Sequence, residues 1–341
     1  MGKKSVTFAD IARYTHFSKT TISRYFNDPD SLTVENQEKI AAALEELGYK
    51  ENKVARILAS GKTEFVGVIV PNLYLHFYSQ MLDEILATYE TYGYKFLVFA
   101  GDDNRDVERR YIEELLAYQI EGMIVLSNTV PSEELASFQV PVVTIEREDR
   151  FCSSVNTDNR AGGALAAGLL DECGCEVLIH INSDVPESVP AHGRISGFVD
   201  ACRERGVACE LMLRDFGHGY EEADRTMRQV FEELEERFPG RRKGVFVSND
   251  TYANMLVNQI VRTHGGLPDE YRIVGFDDSP VSRESVIPIS TVRQQVSRIA
   301  QEAMGLLMAQ MEERKKRRPR PLGEPVHKAV EPVLVRRETA R

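Results

Sequence analysis

The sequence predicts an α/β protein in which a three-helix helix-turn-helix bundle precedes two doubly wound lobes, each built on a parallel sheet. Three observations carry this. Capped amphipathic segments crowd the first fifty residues, apolar runs alternate with helical stretches from Phe65 onward, and the runs are too many for one sheet. At 341 residues the chain exceeds one typical domain, and its 42% hydrophobic content suffices for several cores. No apolar run reaches the roughly 18 residues of a membrane span. The start, Met1-Gly-Lys-Lys-Ser-Val-Thr7, leads into a polar helix-initiating segment rather than an apolar signal core. A cytoplasmic protein with no membrane partner is expected.

Helix by helix, the first segment begins at Thr7-Phe-Ala-Asp10, where a hydroxyl and an acid three residues on can cap each other's backbone. Ile11, Ala12 and Tyr14 continue it. Ser18 caps a second helix, Lys19 to Phe26, in which Ile22 and Tyr25 or Phe26 share a face. Thr33 caps a third, with Ile40, Ala41, Leu44 and Leu47 on its inner side and Gly48 as the stop. Two short helices joined by about three residues form a helix-turn-helix. Spacing alone leaves this level with a hairpin that merely packs on a neighbour.

Charge separates the two readings further. The whole chain is at −11, against coating nucleic acid along its length, yet Lys3, Lys4, Arg13, Lys19 and Arg24 against Asp10 leave residues 1–27 at net +4. A second helix in the major groove would direct Lys19 and Thr20 at base edges, with Arg24 one turn further along. Thr7, Ser18, Thr21 and Asn27 suit phosphates, which hydroxyls, amides and helix N-termini bind without reading sequence.

Residues 51–63 form a short basic stretch between the bundle and the first apolar run, with the character of a hinge. Here Val6-Thr-Phe-Ala-Asp-Ile-Ala12, Ser18-Lys-Thr-Thr-Ile-Ser-Arg24, Glu45-Glu-Leu-Gly-Tyr49 and Val54-Ala-Arg-Ile-Leu58 resemble the lac repressor/gal repressor family. The resemblance implies a homodimer on a roughly palindromic operator in double-stranded DNA. It also implies a hinge, including Asn52, that folds on DNA and inserts Leu58 into the minor groove at the cost of unstacking. Ordinary packing of Leu58 is the alternative. The sequence departs from the family at Thr15-His16-Phe17, where a small residue and a glycine are usual, and at Glu51, where a proline is usual. A bulkier turn and a differently started hinge follow.

The remainder, 64–341, alternates. Apolar runs at Phe65–Val70, Phe96–Phe99, Met123–Leu126, Val140–Ile145, Val177–Ile181, Gly244–Val247 and Arg272–Phe276 are separated by helical patterns such as Ser79–Tyr92 and Val107–Tyr118. Under the resemblance this is a periplasmic-binding-protein-like core. Its N-lobe comprises about 64–157 and 294–325, and its C-lobe about 158–292 and 326–341. Ligands of such folds bind beyond the carboxyl ends of strands. That rule selects Glu146, Asn249-Asp250 and Asp277-Asp278, with Arg194 reaching in from a helix start. Carboxylates accepting from vicinal hydroxyls and a forked arginine are the chemistry of polyol recognition. The resemblance extends through Val155-Asn-Thr-Asp-Asn159, Thr291-Val-Arg-Gln294 and Val333-Leu-Val-Arg-Arg337. It places Glu146, Arg194, Asn249, Asp277 and Gln294 in the effector cleft, with Leu75, His76, Phe77 and Ser79 on its N-lobe wall. Helix capping by Asp250 and Asp278, and a surface pair for Arg194, are the competing readings.

Enzyme signals are weak. Gly61-Lys62-Thr63 precedes a strand rather than following one, and neither G-x-G-x-x-G after the early strands nor G-x-S-x-G occurs. The five cysteines, Cys152, Cys173, Cys175, Cys202 and Cys209, lack a paired C-x-x-C spacing and read as reduced packing residues, so no cofactor or metal is expected. The basic run Arg314-Lys-Lys-Arg-Arg318 reads as a solvated helix end. No heptad pattern follows the last strand, which favours a dimer over a four-chain assembly. The expected function is therefore a transcription regulator, a repressor rather than an enzyme, controlled by a small sugar or sugar acid. The alternative is control by a protein partner such as phosphorylated HPr.

Overall fold

The computed structural model describes residues 6–50, 57, 62–101, 104–217, 219–316, 318 and 323–341. The chain divides into two compact units, one ending at Lys62 and one beginning at Thr63.

In the first unit, helices α1 (Phe8–Thr15), α2 (Lys19–Asn27) and α3 (Val34–Glu46) enclose Ile11, Ile22, Ile40 and Ala43. Each helix starts where a polar side chain satisfies free amides. The Asp10 carboxylate accepts from Thr7 N (3.0 Å) and Thr7 Oγ1 (2.7 Å). Ser18 Oγ accepts from Thr21 N at 3.0 Å, and Thr33 Oγ1 from Asn36 N at 3.4 Å. Phe8 stacks on Phe26 with centroids 5.1 Å apart, and Tyr49 packs against both rings. The unusual turn is accommodated by His16 in the left-handed region at φ 60°. Glycine adopts that conformation freely, whereas a residue with a Cβ is disfavoured there by about 1–2 kcal/mol.

The second unit holds two six-stranded sheets. In the first, β1 (Phe65–Val70), β2 (Lys95–Ala100), β3 (Gly122–Val125), β4 (Val142–Ile145), β5 (Ser153–Thr157) and β11 (His327–Val330) run in the order β11-β5-β4-β3-β1-β2, all parallel. In the second, β6 (Val177–Asn182), β7 (Cys209–Leu213), β8 (Lys243–Val247), β9 (Tyr271–Asp277), β10 (Ser290–Arg293) and β12 (Val333–Val335) run β12-β10-β9-β8-β6-β7, with only β12 antiparallel. Apolar clusters cover both faces of each sheet, which is why the central strands read as continuous hydrophobic runs. Each sheet reverses its winding once, between β1 and β3 and between β6 and β8, and such points open a crevice at the strands' carboxyl ends.

The chain crosses between lobes after β5, after β10 and after β11. The last crossing corrects the expected division at 326. His327–Val330 completes the first sheet beside β5, and the chain enters the second lobe only after Val330. Ser154 Oγ bonding His327 Nδ1 at 2.9 Å helps hold that edge. The helix expected over Ser79–Tyr92 begins earlier, at His76, ends at Ala87, and is followed by a separate turn, Tyr89–Tyr92. The basic run does close a helix, Val296–Lys315, with Arg314 and Lys315 in its last turn. No helix among the described residues is long and apolar enough to cross a membrane. All five cysteines are free thiols, and burial pushes Cys152, Cys175 and Cys202 up to about 12.

Candidate functional site

In the first unit, the capping bonds described above fix the start of α2. Lys19, Thr20 and Arg24 are exposed on it, and their side chains make no hydrogen bond to another described residue. Ser18 and Thr21 are tied to each other, their hydroxyls 2.8 Å apart, and Thr7 is tied to Asp10. Asn27 ends α2. Asn52 and Leu58 lie outside the described residues.

In the second unit, a cavity of about 180 Å³ opens at the carboxyl ends of both sheets. It gathers Leu75, Phe77, Glu146, Arg194, Asn249, Asp277 and Gln294 from the sequence expectation. Ser79 does not line it, and its hydroxyl donates to His76 O at 2.9 Å. His76 does not line it either. Its Nδ1 lies 3.1 Å from Thr251 Oγ1 of the other lobe, near Tyr74 and Tyr252, whose hydroxyls are 3.4 Å apart. These pairs bridge the two lobes beside the cavity.

Among the further lining residues that the sequence does not single out are Tyr78, Asn128, Asn182, Ser183 and Tyr252. Asn182 closes β6, Ser183 follows it and Asn128 lies beyond β3, so the strand-end rule that selected Asn249 reaches them too. Asn182 is oriented by His180, which burial pushes down to about 3 and so keeps neutral. With its Nδ1–H donating to Phe246 O at 3.0 Å, the imidazole Nε2 is left to accept from Asn182 Nδ2 at 3.1 Å.

The charged groups of the cavity are held on both sides. Glu146 and Asp277, each buried, sit at φ 55° and 109°. Such conformations cost about 1–3 kcal/mol each in a residue with a Cβ and persist where the surroundings over-determine them. Glu146 accepts from Thr157 N at 2.5 Å and from Asn159 Nδ2 at 2.8 Å. Asp277 accepts from Gln294 Nε2 at 2.7 Å, and Gln294 Oε1 in turn accepts from the Thr157 hydroxyl. Burial, with Glu146 adding to it, raises the Asp277 carboxyl to about 7 against the opposing pull of Arg194 and Gln294. Arg194 donates from Nε to Asn159 Oδ1 and from Nη1 to Ser248 O, both at 2.7 Å. Its guanidinium lies 3.8 Å over the Phe276 ring.

Of the neighbouring acids the structure makes anchors. Asp278 pairs with Arg293 at 2.6 Å and with Arg337, pinning the last strands. Asp250 accepts from Ser279 N at 2.7 Å and Thr291 Oγ1 at 2.6 Å, and burial raises its carboxyl well above the ordinary range. Asn249 caps the helix Asp250–His264 through Oδ1, accepting from Tyr252 N at 2.8 Å, which leaves its amide nitrogen for the cavity. Among the described residues no cluster of three or more His, Cys, Asp or Glu could hold a metal.

Comparison with known proteins agrees with both units. Residues 7–52 match the family of bacterial regulatory proteins of the lacI type. Residues 63–239 match the periplasmic binding proteins and sugar binding domain of the LacI family, and 167–339 a periplasmic binding protein-like domain. The ribose operon repressor of Halalkalibacterium halodurans is 28% identical over 310 residues, covering 90% of this chain and 91% of that protein. Catabolite control protein A of Priestia megaterium is 27% identical over 314 residues, covering 90% and 93%. Among solved structures, a lac repressor dimer bound to operator and the anti-inducer ONPF superposes with a TM-score of 0.79 at 21% identity, covering 98% of this chain and 99% of that one. A cellobiose complex of the regulator CelR gives 0.70 at 22%, covering 98% and 100%. With a helix-turn-helix head matched at one end and more than half of the chain matched by the sugar-binding domain, this protein belongs to the LacI family of DNA-binding transcription regulators.

Proposed function

We propose that this chain is a homodimeric, cytoplasmic repressor without enzymatic activity, whose hold on operator DNA is set by a neutral sugar or polyol bound between its two lobes. The observation that carries the reading is the convergence of two buried carboxylates, one stacked arginine and three asparagines on a single cavity where both sheets end. Carboxylates and amides at fixed positions accept from and donate to hydroxyls in pairs, and aromatic walls such as Phe77, Tyr78 and Tyr252 pack against a sugar's C–H faces. A neutral ligand is favoured over a sugar acid because Arg194 already spends Nε and Nη1 on Asn159 and Ser248, while the Glu146 side chain lines the same cavity and would face any added anion. The ribose- and sucrose-named repressors among the relatives, and a ribose-bound regulator from Enterococcus faecium with a TM-score of 0.67 at 21% identity, support the same class.

On the DNA side, Lys19, Thr20 and Arg24 are the base-reading groups. Thr7, Ser18, Thr21 and Asn27 serve phosphates, and 51–63, with Asn52 and Leu58, is the hinge between head and effector domain. Sugar binding closes the lobes and biases the hinge, so effector and operator affinities are reciprocally coupled.

Thermal-shift titration of the purified chain against neutral sugars (D-ribose, sucrose, cellobiose), gluconate and sugar phosphates tests this, since a true effector raises Tm with occupancy. A neutral sugar should raise Tm and change operator binding in fluorescence anisotropy, and Arg194→Ala should remove both responses while DNA binding persists. A shift with gluconate alone would overturn the neutral class. No shift with any compound would overturn sugar control and favour the protein-partner alternative.

A further inference from the structure

The two charged groups expected to meet the effector from opposite lobes are joined by one residue that does not line the cavity. Asn159, 3% exposed, is the first residue of the helix Asn159–Glu172, two positions after the chain leaves β5. Its Nδ2 donates to Glu146 Oε2 at 2.8 Å and to Thr157 O at 3.1 Å, and its Oδ1 accepts from Arg194 Nε at 2.7 Å. Both amide hydrogens are therefore spent toward the first lobe and the oxygen toward the second. A primary amide offers two donors and an acceptor from one planar group, which is what a carboxylate, a carbonyl and a guanidinium around it require.

Backbone contact fixes the geometry. The helix Gly193–Arg205, which carries Arg194, lies so close to the helix Asn159–Glu172 that a Cβ at Gly163 would collide with Arg194 O, and one at Gly197 with Arg160 O. At Gly193 a Cβ would come within 3.1 Å of Asn159 Cβ. Arg194 thus has little freedom to move away from Asn159.

We propose that Asn159 is a positioning residue that sets Glu146 of one lobe and Arg194 of the other as a single array. The inference rests on the reading of those two groups as effector ligands, and its test uses no effector, so the two can fail separately.

The test is the melting temperature of the full chain at pH 5.5 and pH 8 for wild type, Asn159→Asp, Glu146→Gln and the double variant. In N159D two carboxylates face each other beside Arg194 and Asp277. At acid pH they share a proton, and the protonated one donates in place of the amide. As pH rises that proton is lost and the pair repels. The deficit of N159D against wild type, taken at each pH so that Asp277 cancels, should be several degrees larger at pH 8 than at pH 5.5. Adding E146Q restores a donor–acceptor pair with the roles exchanged, so the double variant should recover at least half of the pH 8 deficit, which E146Q alone cannot mimic. A deficit equal at both pH values, or untouched by E146Q, would reduce Asn159 to a packing residue and overturn the proposal. If N159D does not fold alone, the double variant must, and a double variant that also fails to fold overturns it equally.

Discussion

The head and the cleft prepare their functional groups in opposite ways. In the head the bonds are spent on the scaffold: Asp10, Ser18 and Thr33 secure helix starts, while Lys19, Thr20 and Arg24 extend into solvent without partners among the described residues. In the cleft the functional groups are themselves the scaffold, for Glu146, Arg194, Asp277 and Gln294 hold one another directly or through Asn159 and Thr157. A flexible reader suits a partner whose phosphates and base edges supply the missing bonds. A small ligand offers few contacts, and orienting groups beforehand avoids the entropy of ordering them on binding. Stability and function should therefore separate under mutation in the head and fall together in the cleft.

The sharpest way to break this contrast is Gly163→Ala. Its methyl would press on the backbone of the Arg194 helix, which cannot give as a flexible side chain can. The expected result is a loss of about 3 kcal/mol of unfolding free energy in urea together with loss of the thermal response to sugar. A variant that melts like wild type would mean the two helices are less tightly joined than their contact implies.

Asp277 gives the next largest effect, visible in pH. Its carboxyl titrates near 7 in the fold, pushed up mainly by burial. A group raised in this way contributes most to stability below its ordinary value of 3.8, and the contribution is lost as pH rises toward 7, because the unfolded chain releases the proton first. Tm of the effector-free protein should fall across that window, and Asp277→Asn should flatten the fall by a few degrees. Some slope will remain, since burial also raises Asp250 and Glu108. An unchanged slope in D277N would remove Asp277 from the proton-linked groups.

Lys19→Ala addresses the other side. Losing one base-edge contact costs on the order of 1–3 kcal/mol, so operator affinity should fall by roughly tenfold or more with base preference relaxed. Tm and the sugar response should not move. An equal loss on scrambled DNA would make Lys19 a phosphate contact only.

The same contrast decides what could be read in advance. The three head helices were legible because capping chemistry and apolar spacing are local. The central strands β1, β6, β8 and β9 announce themselves because burial on both faces forces continuous apolar runs. Ser153–Thr157, Ser290–Arg293 and His327–Val330 do not, since their polar side chains are satisfied by partners far off in sequence, as Ser154 is by His327 and Thr291 by Asp250. Their sheet membership is a tertiary fact, and the misplaced division at 326 follows from it. In the cleft, residues at strand ends were open to a positional rule, and Asn159, two positions beyond β5, falls under it as Asn249 does. What the rule does not convey is its role: it begins a helix outside the cavity lining, and its importance lies in two partners 13 and 35 residues away.

Ser18→Ala should produce the smallest effect and tests the scaffold half of the contrast. Removing the hydroxyl that accepts from Thr21 N leaves one helix-start amide to solvent, a cost of about 1 kcal/mol. Hydrogen exchange should quicken in α1–α3 and stay as it was in the two lobes, which form a separate compact unit. Because the variant loosens the platform without removing a base contact, affinity should fall about equally for operator and scrambled DNA, the reverse of Lys19→Ala. A selective loss on operator would place Ser18 among the reading groups and blur the division between groups that build the head and groups that read with it.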